Sequence, residues 1–229
     1  MHFAVAREHL EFFHTHHFIE FENLLTDKEL QILETHLKIV MGKRLNTAPK
    51  HLSHVDLQTF YLQGYDTWRE DPEIKKHVLK PQLATLASNL TKVFPIRIGF
   101  DQVFGFCANV SPFFETPSNL NQLSCIQGLV CGCILNISSP STVPENATLP
   151  FTPISRKAGS GIFFSPDLPL SLDSLFSTPN NMQLLITYAH DRSLYTHQER
   201  DPHTHTLKNL DYVFGDRLKN STHPILYRG

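Results

Sequence analysis

Histidine is the residue with the widest chemistry in this 229-residue chain. It occurs 14 times, and imidazole both titrates near neutral pH and is the commonest ligand of transition metals. His54-Val55-Asp56 spells a His-x-Asp pair that, joined by His190 or His197, would offer non-haem iron two nitrogens and a carboxylate. His14-Thr15-His16-His17 and His203-Thr204-His205 set imidazoles two residues apart, so an extended backbone would bring them to one face as a site for zinc, nickel or copper. The plainer expectation is a surface turn at His54 to Asp56 and solvated terminal histidines that meet metals only adventitiously. No Ser-His-Asp or Cys-His arrangement can be assigned from spacing.

Other reactive residues read as structural. Cys131-Gly132-Cys133 is too tight for a C-x-x-C motif and is flanked by Val130 and Ile134, so buried thiols in a strand are expected, with a soft-metal site involving Cys125 as the alternative. Gly159-Ser160-Gly161 lacks the basic partner of a phosphate loop and fits a turn into a strand. Trp68 is expected to anchor the region of the second helix. Four cysteines are too few for a disulfide scaffold. A net charge of −2 and the absence of Lys/Arg runs exclude an electrostatic footprint for nucleic acid. No apolar run approaches a membrane span, and the N-terminus does not read as a secretory signal, so a cytoplasmic protein is expected.

The elements that must position these residues fall into two halves. Thr26 and Glu29 form a capping box, with Leu25 and Leu30 as its hydrophobic staple. Leu30, Leu33, Leu37 and Val40 then recur at helical spacing, and the stripe ends near Gly42. A second helical region opens at Asp71-Pro72, where Pro81 should kink or divide it. From Pro95 the period changes: Ile96, Ile98 and Phe100 alternate with Arg97, Gly99 and Asp101, as in a strand with one buried face. Strands follow near Gly128 to Ile137, Gly161 to Ser165 and Gln183 to Ala189, separated by turn clusters at Ser138 to Pro144 and Ser177 to Asn181. A further helix is expected over Leu207 to Leu218. Helices first and strands afterwards argue an α+β fold. The chain divides into a mainly helical part (1–94), a main β part (95–190) and a C-terminal extension (191–229).

This order resembles the phytanoyl-CoA dioxygenase-like branch of the iron(II)/2-oxoglutarate oxygenases. His17-Phe18-Ile19-Glu20-Phe21-Glu22-Asn23-Leu24-Leu25 looks like that family's entry strand, and Asp71-Pro72-Glu73-Ile74 like the start of its second helix. Glu145-Asn146-Ala147-Thr148-Leu149, Pro153-Ile154-Ser155 and Lys157-Ala158-Gly159-Ser160-Gly161-Ile162-Phe163-Phe164 match later motifs. The resemblance implies a single domain over 1–229: a double-stranded β-helix (jelly roll, cupin-like) with N-terminal helices packed on one sheet. It also implies iron held by a His-x-Asp pair and a distal histidine.

Here the chain departs from that pattern. The distal histidine's position is Leu170, and the arginine that would pair with the cosubstrate carboxylate is replaced by Asn181, which has no charged fork. The window Glu115 to Gln127, which should hold His-x-Asp, has neither histidine nor aspartate. Nine histidines precede Val78, five follow Ala189, and none lies between. The resemblance therefore implies a relative without catalytic residues or resident iron(II) and 2-oxoglutarate, binding an unknown small molecule or protein. Two alternatives stand beside it. One is a metal-dependent, ferric-uptake-repressor-like regulator using the histidine clusters, and the other an oxygenase with a relocated metal site at His54, Asp56 and His190.

Overall fold

The computed structural model describes residues 5–105, 107, 113–114, 117–138, 157–176 and 181–229. The Glu145-Asn146 and Pro153-Ile154 motifs, Glu115 and Thr116 lie outside them, as does most of each turn cluster. Thr26 opens the longest helix as the capping box requires: its Oγ1 accepts from Glu29 N (3.3 Å), and Glu29 Oε2 accepts from Thr26 N (2.9 Å). Burial opposes the Glu29 charge, but the Lys80 ammonium 2.8 Å away and the Thr26 donors outweigh it and hold the carboxyl at about 2.

The helices are α1 (Arg7–His16), α2 (Asp27–Arg44), α3 (Leu57–Gln63), α4 (Pro72–Val78) and α5 (Pro81–Thr91). Pro81 divides the second region as expected, because its ring cannot continue α4 and instead starts α5. The first histidine cluster differs from its extended reading. His14 and His16 sit in the last turn of α1, and His17 closes that helix in the left-handed region at φ 63°. Residues two apart on a helix diverge by about 200°.

Among the described residues, six strands form one antiparallel sheet in the order β1-β4-β3-β5-β2-β6: β1 (Phe18–Phe21), β2 (Ile96–Gly105), β3 (Ile126–Ser138), β4 (Gly161–Phe164), β5 (Met182–Tyr195) and β6 (Ile225–Tyr227). One face packs on the helical layer, where His9 of α1 meets Phe21 of β1 edge-on at 5.4 Å, and Phe21 in turn meets Phe163 of β4 at 5.8 Å. A side chain at Gly161 would lie 2.8 Å from Leu24 and 2.9 Å from Leu135, so glycine permits this approach. The other face turns inward against Tyr61 of α3 and Phe176 of the 3-10 turn Leu172–Phe176. The result is the expected α+β jelly roll: a curled sheet with helices outside and connecting segments opposite.

β2 corrects the reading of one buried face, since all ten of its residues are buried. Its polar residues find partners in both layers. Arg97 Nη1 donates to the carbonyls of Leu218 and His223, both at 2.9 Å, and Asp101 accepts from the backbone N–H of Thr67 and Trp68. A bulge between Ile98 and Asp101 frees Phe100, whose N–H and carbonyl are taken up by Thr187 Oγ1. Trp68 is buried, with Nε1 donating to Asp66 Oδ1 and Arg69 over its ring. The helix expected over Leu207 to Leu218 is a single 3-10 turn, Thr206–Leu210. Asp211 ends it at φ 59°, and Asp216 accepts from Val213 N in the turn beyond.

Candidate functional site

In the structure the position at which the resemblance places the distal histidine faces one residue of the window expected to hold His-x-Asp. Leu170 forms an isolated antiparallel bridge with Ser118, inside the Glu115 to Gln127 window: Ser118 N donates to Leu170 O (3.0 Å) and Leu170 N to Ser118 O (2.6 Å). Both are buried, Leu170 at 1% exposure. The described part of the window supplies proline, serine, asparagine, leucine, glutamine, cysteine and isoleucine. A non-haem iron ion needs imidazoles and a carboxylate converging from these strands. The described residues of the window do not fit one.

The C-terminal extension contributes a buried imidazole to the aromatic residues packed on the sheet. His203 was grouped with solvated terminal histidines but is 5% exposed, whereas His205 is exposed. Its ring stacks on Tyr65 (4.2 Å between centroids, 23°), which stacks on Phe100 (5.1 Å, 27°), and it lies 5.2 Å from Tyr61. Phe104 and Phe114 pack on Tyr61 in turn. The segment is held by Asp201, whose two carboxylate oxygens accept from Cys125 N (2.6 Å) and His203 N (2.7 Å), and by Tyr195 Oη, which donates to Thr204 O. Burial, with the Arg44 charge adding, pushes the His203 imidazole down to about 4. Burial pushes the Asp201 carboxyl up to about 6. His203 Nε2 has no hydrogen-bond partner among the described residues.

The other candidate ligands are not gathered. His54 is exposed at the end of the 3-10 turn Pro49–His54, stacked on His51. Asp56 caps α3 by accepting from Thr59 N (2.9 Å). His190 lies in β5 opposite Ile96, its Nδ1 2.9 Å from Asp191 Oδ1. Among the described residues no group of three His, Cys, Asp or Glu side chains could hold a metal ion. All four thiols are buried and free, with Cys131 pushed up to about 12 by burial.

A cleft of about 480 Å³ opens where β2, β3 and β5 end beneath α2 and the Pro49–His54 turn. Asn181 lines it, 3% exposed, and its Oδ1 has no partner among the described residues. Phe60 forms an apolar wall close against Gly105, where an added side chain would lie 2.7 Å from the Phe60 ring. Lys38 and Lys50 stand at the rim, Lys38 paired with Glu34 at 2.6 Å. Sequence reasoning located Asn181 but not the lysines, which no motif ties to it.

The architecture is similar to that of solved non-heme α-ketoglutarate-dependent enzymes. The chain is similar to the crystal structure of SnoK, a non-heme α-ketoglutarate-dependent carbocyclase from nogalamycin biosynthesis, at 13% identity over 97% of both chains with a TM-score of 0.67. SnoN, an α-ketoglutarate-dependent epimerase from the same biosynthesis, aligns at 12% identity over 96% of this chain and 97% of that one, with a TM-score of 0.63. SnoN also forms a complex with Fe3+, α-ketoglutarate and nogalamycin RO. CT296 from Chlamydia trachomatis aligns at 17% identity over 82% of this chain and 97% of that one, with a TM-score of 0.49. No protein-family model and no curated protein matches the sequence. At such identities the likeness concerns the fold alone. Among the described residues no helix is long and apolar enough to cross a membrane.

Proposed function

We propose that this protein is a non-catalytic relative of the 2-oxoglutarate oxygenases that has kept the jelly roll as a binding scaffold and lost the iron centre. The observation that carries this reading is the Ser118–Leu170 bridge. It sets one residue of the window opposite the distal position, and the two side chains it pairs are a hydroxyl and an isobutyl group. Leucine has no lone pair to offer a metal, and Asn181 lacks the charge that would anchor a dicarboxylate. His203, a buried imidazole, is stacked between aromatic rings rather than set among carboxylates. The cleft beside Asn181 then serves a small-molecule ligand in a cytoplasmic setting.

The test is iron-dependent decarboxylation of 2-oxoglutarate by protein prepared without a histidine tag. The expected result is succinate at the level of iron and ascorbate alone. Protein-dependent succinate that His54→Ala or Asp56→Ala abolishes would establish the relocated site instead.

A further inference from the structure

Residues 219–229 contain one histidine and no aspartate or glutamate, and that histidine is fully buried. His223 sits where the segment is pinned to the rest of the fold. Arg69, from the 3-10 turn Thr67–Arg69, donates through Nη1 to Thr222 O (2.7 Å) and through Nη2 to His223 Nε2 (3.3 Å). A guanidinium can only donate, so Nε2 must carry a lone pair and the ring's single proton is on Nδ1. That proton points to Tyr212 Oη at 3.0 Å, which also accepts from Lys219 N (2.7 Å) and bonds Thr222 Oγ1. Tyr212, itself buried, is thus a peg for three residues of the segment. From the other side Arg97 of β2 donates to His223 O. Beyond it β6 covers β2: Ile225 pairs with Arg97, Tyr227 pairs with Ile96, and Ile98 N donates to Pro224 O (3.2 Å).

This tautomer leaves His223 no room for a second proton. An N–H on Nε2 would meet the Arg69 N–H head-on, between the Arg69 and Arg97 charges, with no carboxylate in the segment to answer it. Burial and those two cations push the imidazole down to about 3. The nearby carboxylates are engaged elsewhere: Asp66 Oδ2 accepts from Arg69 Nε (2.7 Å), and Asp191 Oδ1 lies 2.9 Å from His190 Nδ1. Burial raises the Asp66 carboxyl, so acid favours the native state there and opposes release. We propose that residues 219–229 form an acid-released latch: His223 takes up a proton only by leaving its slot between Arg69 and Tyr212, and its departure strips β6 from β2. The open state binds the proton as an ordinary exposed imidazole does, so opening grows about tenfold for each pH unit below about 6.5. Release turns β2 into the edge strand of the sheet, with the Ile98 N–H free.

Hydrogen exchange read by mass spectrometry at pH 7.5, 5.5 and 4.5, corrected for the intrinsic exchange rate, tests it. Peptides within 219–229 should lose protection about tenfold at pH 5.5 and about a hundredfold at pH 4.5 relative to pH 7.5, while those of α2 keep theirs. His223→Gln retains an acceptor for Arg69 but has no proton to gain, and should make protection of the segment independent of pH over that range. Where that variant opens the segment at every pH, the wild-type ring decides: long-range 1H–15N correlation should show His223 as the neutral Nδ1–H tautomer at pH 5.5 in the closed population. Protection of 219–229 unchanged from pH 7.5 to 4.5, a pH dependence that persists in His223→Gln, or an imidazolium signal from His223 while the segment stays protected would each overturn the proposal.

Discussion

His203 and Asp201 titrate in opposite senses, and that opposition can be measured. The native imidazole is held at about 4, against about 6.5 when unfolded. The stability it contributes is therefore complete above pH 6.5 and is lost as pH falls through 6.5 toward 4, where the unfolded chain takes up a proton that the native protein refuses. The gap corresponds to about 3 kcal/mol. The Asp201 carboxyl is raised to about 6, so its contribution is complete below the unfolded value of 3.8 and is lost as pH rises through 6, again by about 3 kcal/mol. In the wild type the two nearly cancel between pH 7 and 4.5. His203→Phe keeps a ring on Tyr65 but removes the proton site, so urea unfolding should show stability rising on acidification relative to wild type by about 2–3 kcal/mol. Asp201→Asn should show the reverse. Its baseline will be lower, because an amide nitrogen then faces one of the two N–H donors now bound at 2.6 and 2.7 Å, but the pH dependence is the readout. Urea midpoints measured at pH 7, 6, 5 and 4.5 suffice. Parallel pH profiles for all three proteins would refute the placement of His203 in the barrel and of Asp201 as its tether.

Other expectations follow from single contacts. Leu170→Ala should cost about 2–5 kcal/mol by chemical denaturation, since a leucine at 1% exposure leaves a cavity when truncated; a cost below 1 kcal/mol would mean that the position is open. Thr26→Ala should lose about 1 kcal/mol with the capping box, read from the same melts. An aromatic disulfide reagent should label no cysteine in the native protein and all four in denaturant, and a fast native phase would contradict buried, protonated thiols. Gly132→Ala should destabilise the sheet centre, because the new methyl would lie within contact of the Phe164 ring.

Local chemistry was readable in the sequence and long-range insertion was not. Thr26 and Glu29 lie three residues apart, and their bonds depend on little else, so the start of α2 follows directly. The division at Pro81 is equally local. Leu170 could be singled out because the Lys157 to Phe164 segment counts forward to it, and the bridge to Ser118 adds the partner strand. His203 was misjudged because its burial depends on Asp201 reaching Cys125, 76 residues away in sequence. Nothing in a polar stretch around Asp201-Pro202-His203 reveals such a tether. The inward face of β2 was misjudged for a related reason: Arg97 and Asp101 read as solvent-facing until the C-terminal extension and the Thr67-Trp68 turn supply their partners. The lysines at the cleft come from α2 and the turn after it, and only the packing of helices over strand ends brings them to Asn181.

The central claim is that the strands which should carry iron ligands carry none, and anaerobic titration of tag-free protein with iron(II) and 2-oxoglutarate tests it most directly. The account predicts no charge-transfer absorption band and no saturable one-to-one binding of the pair. A band that saturates at one iron per chain, and that excess 2-oxoglutarate strengthens, would contradict it.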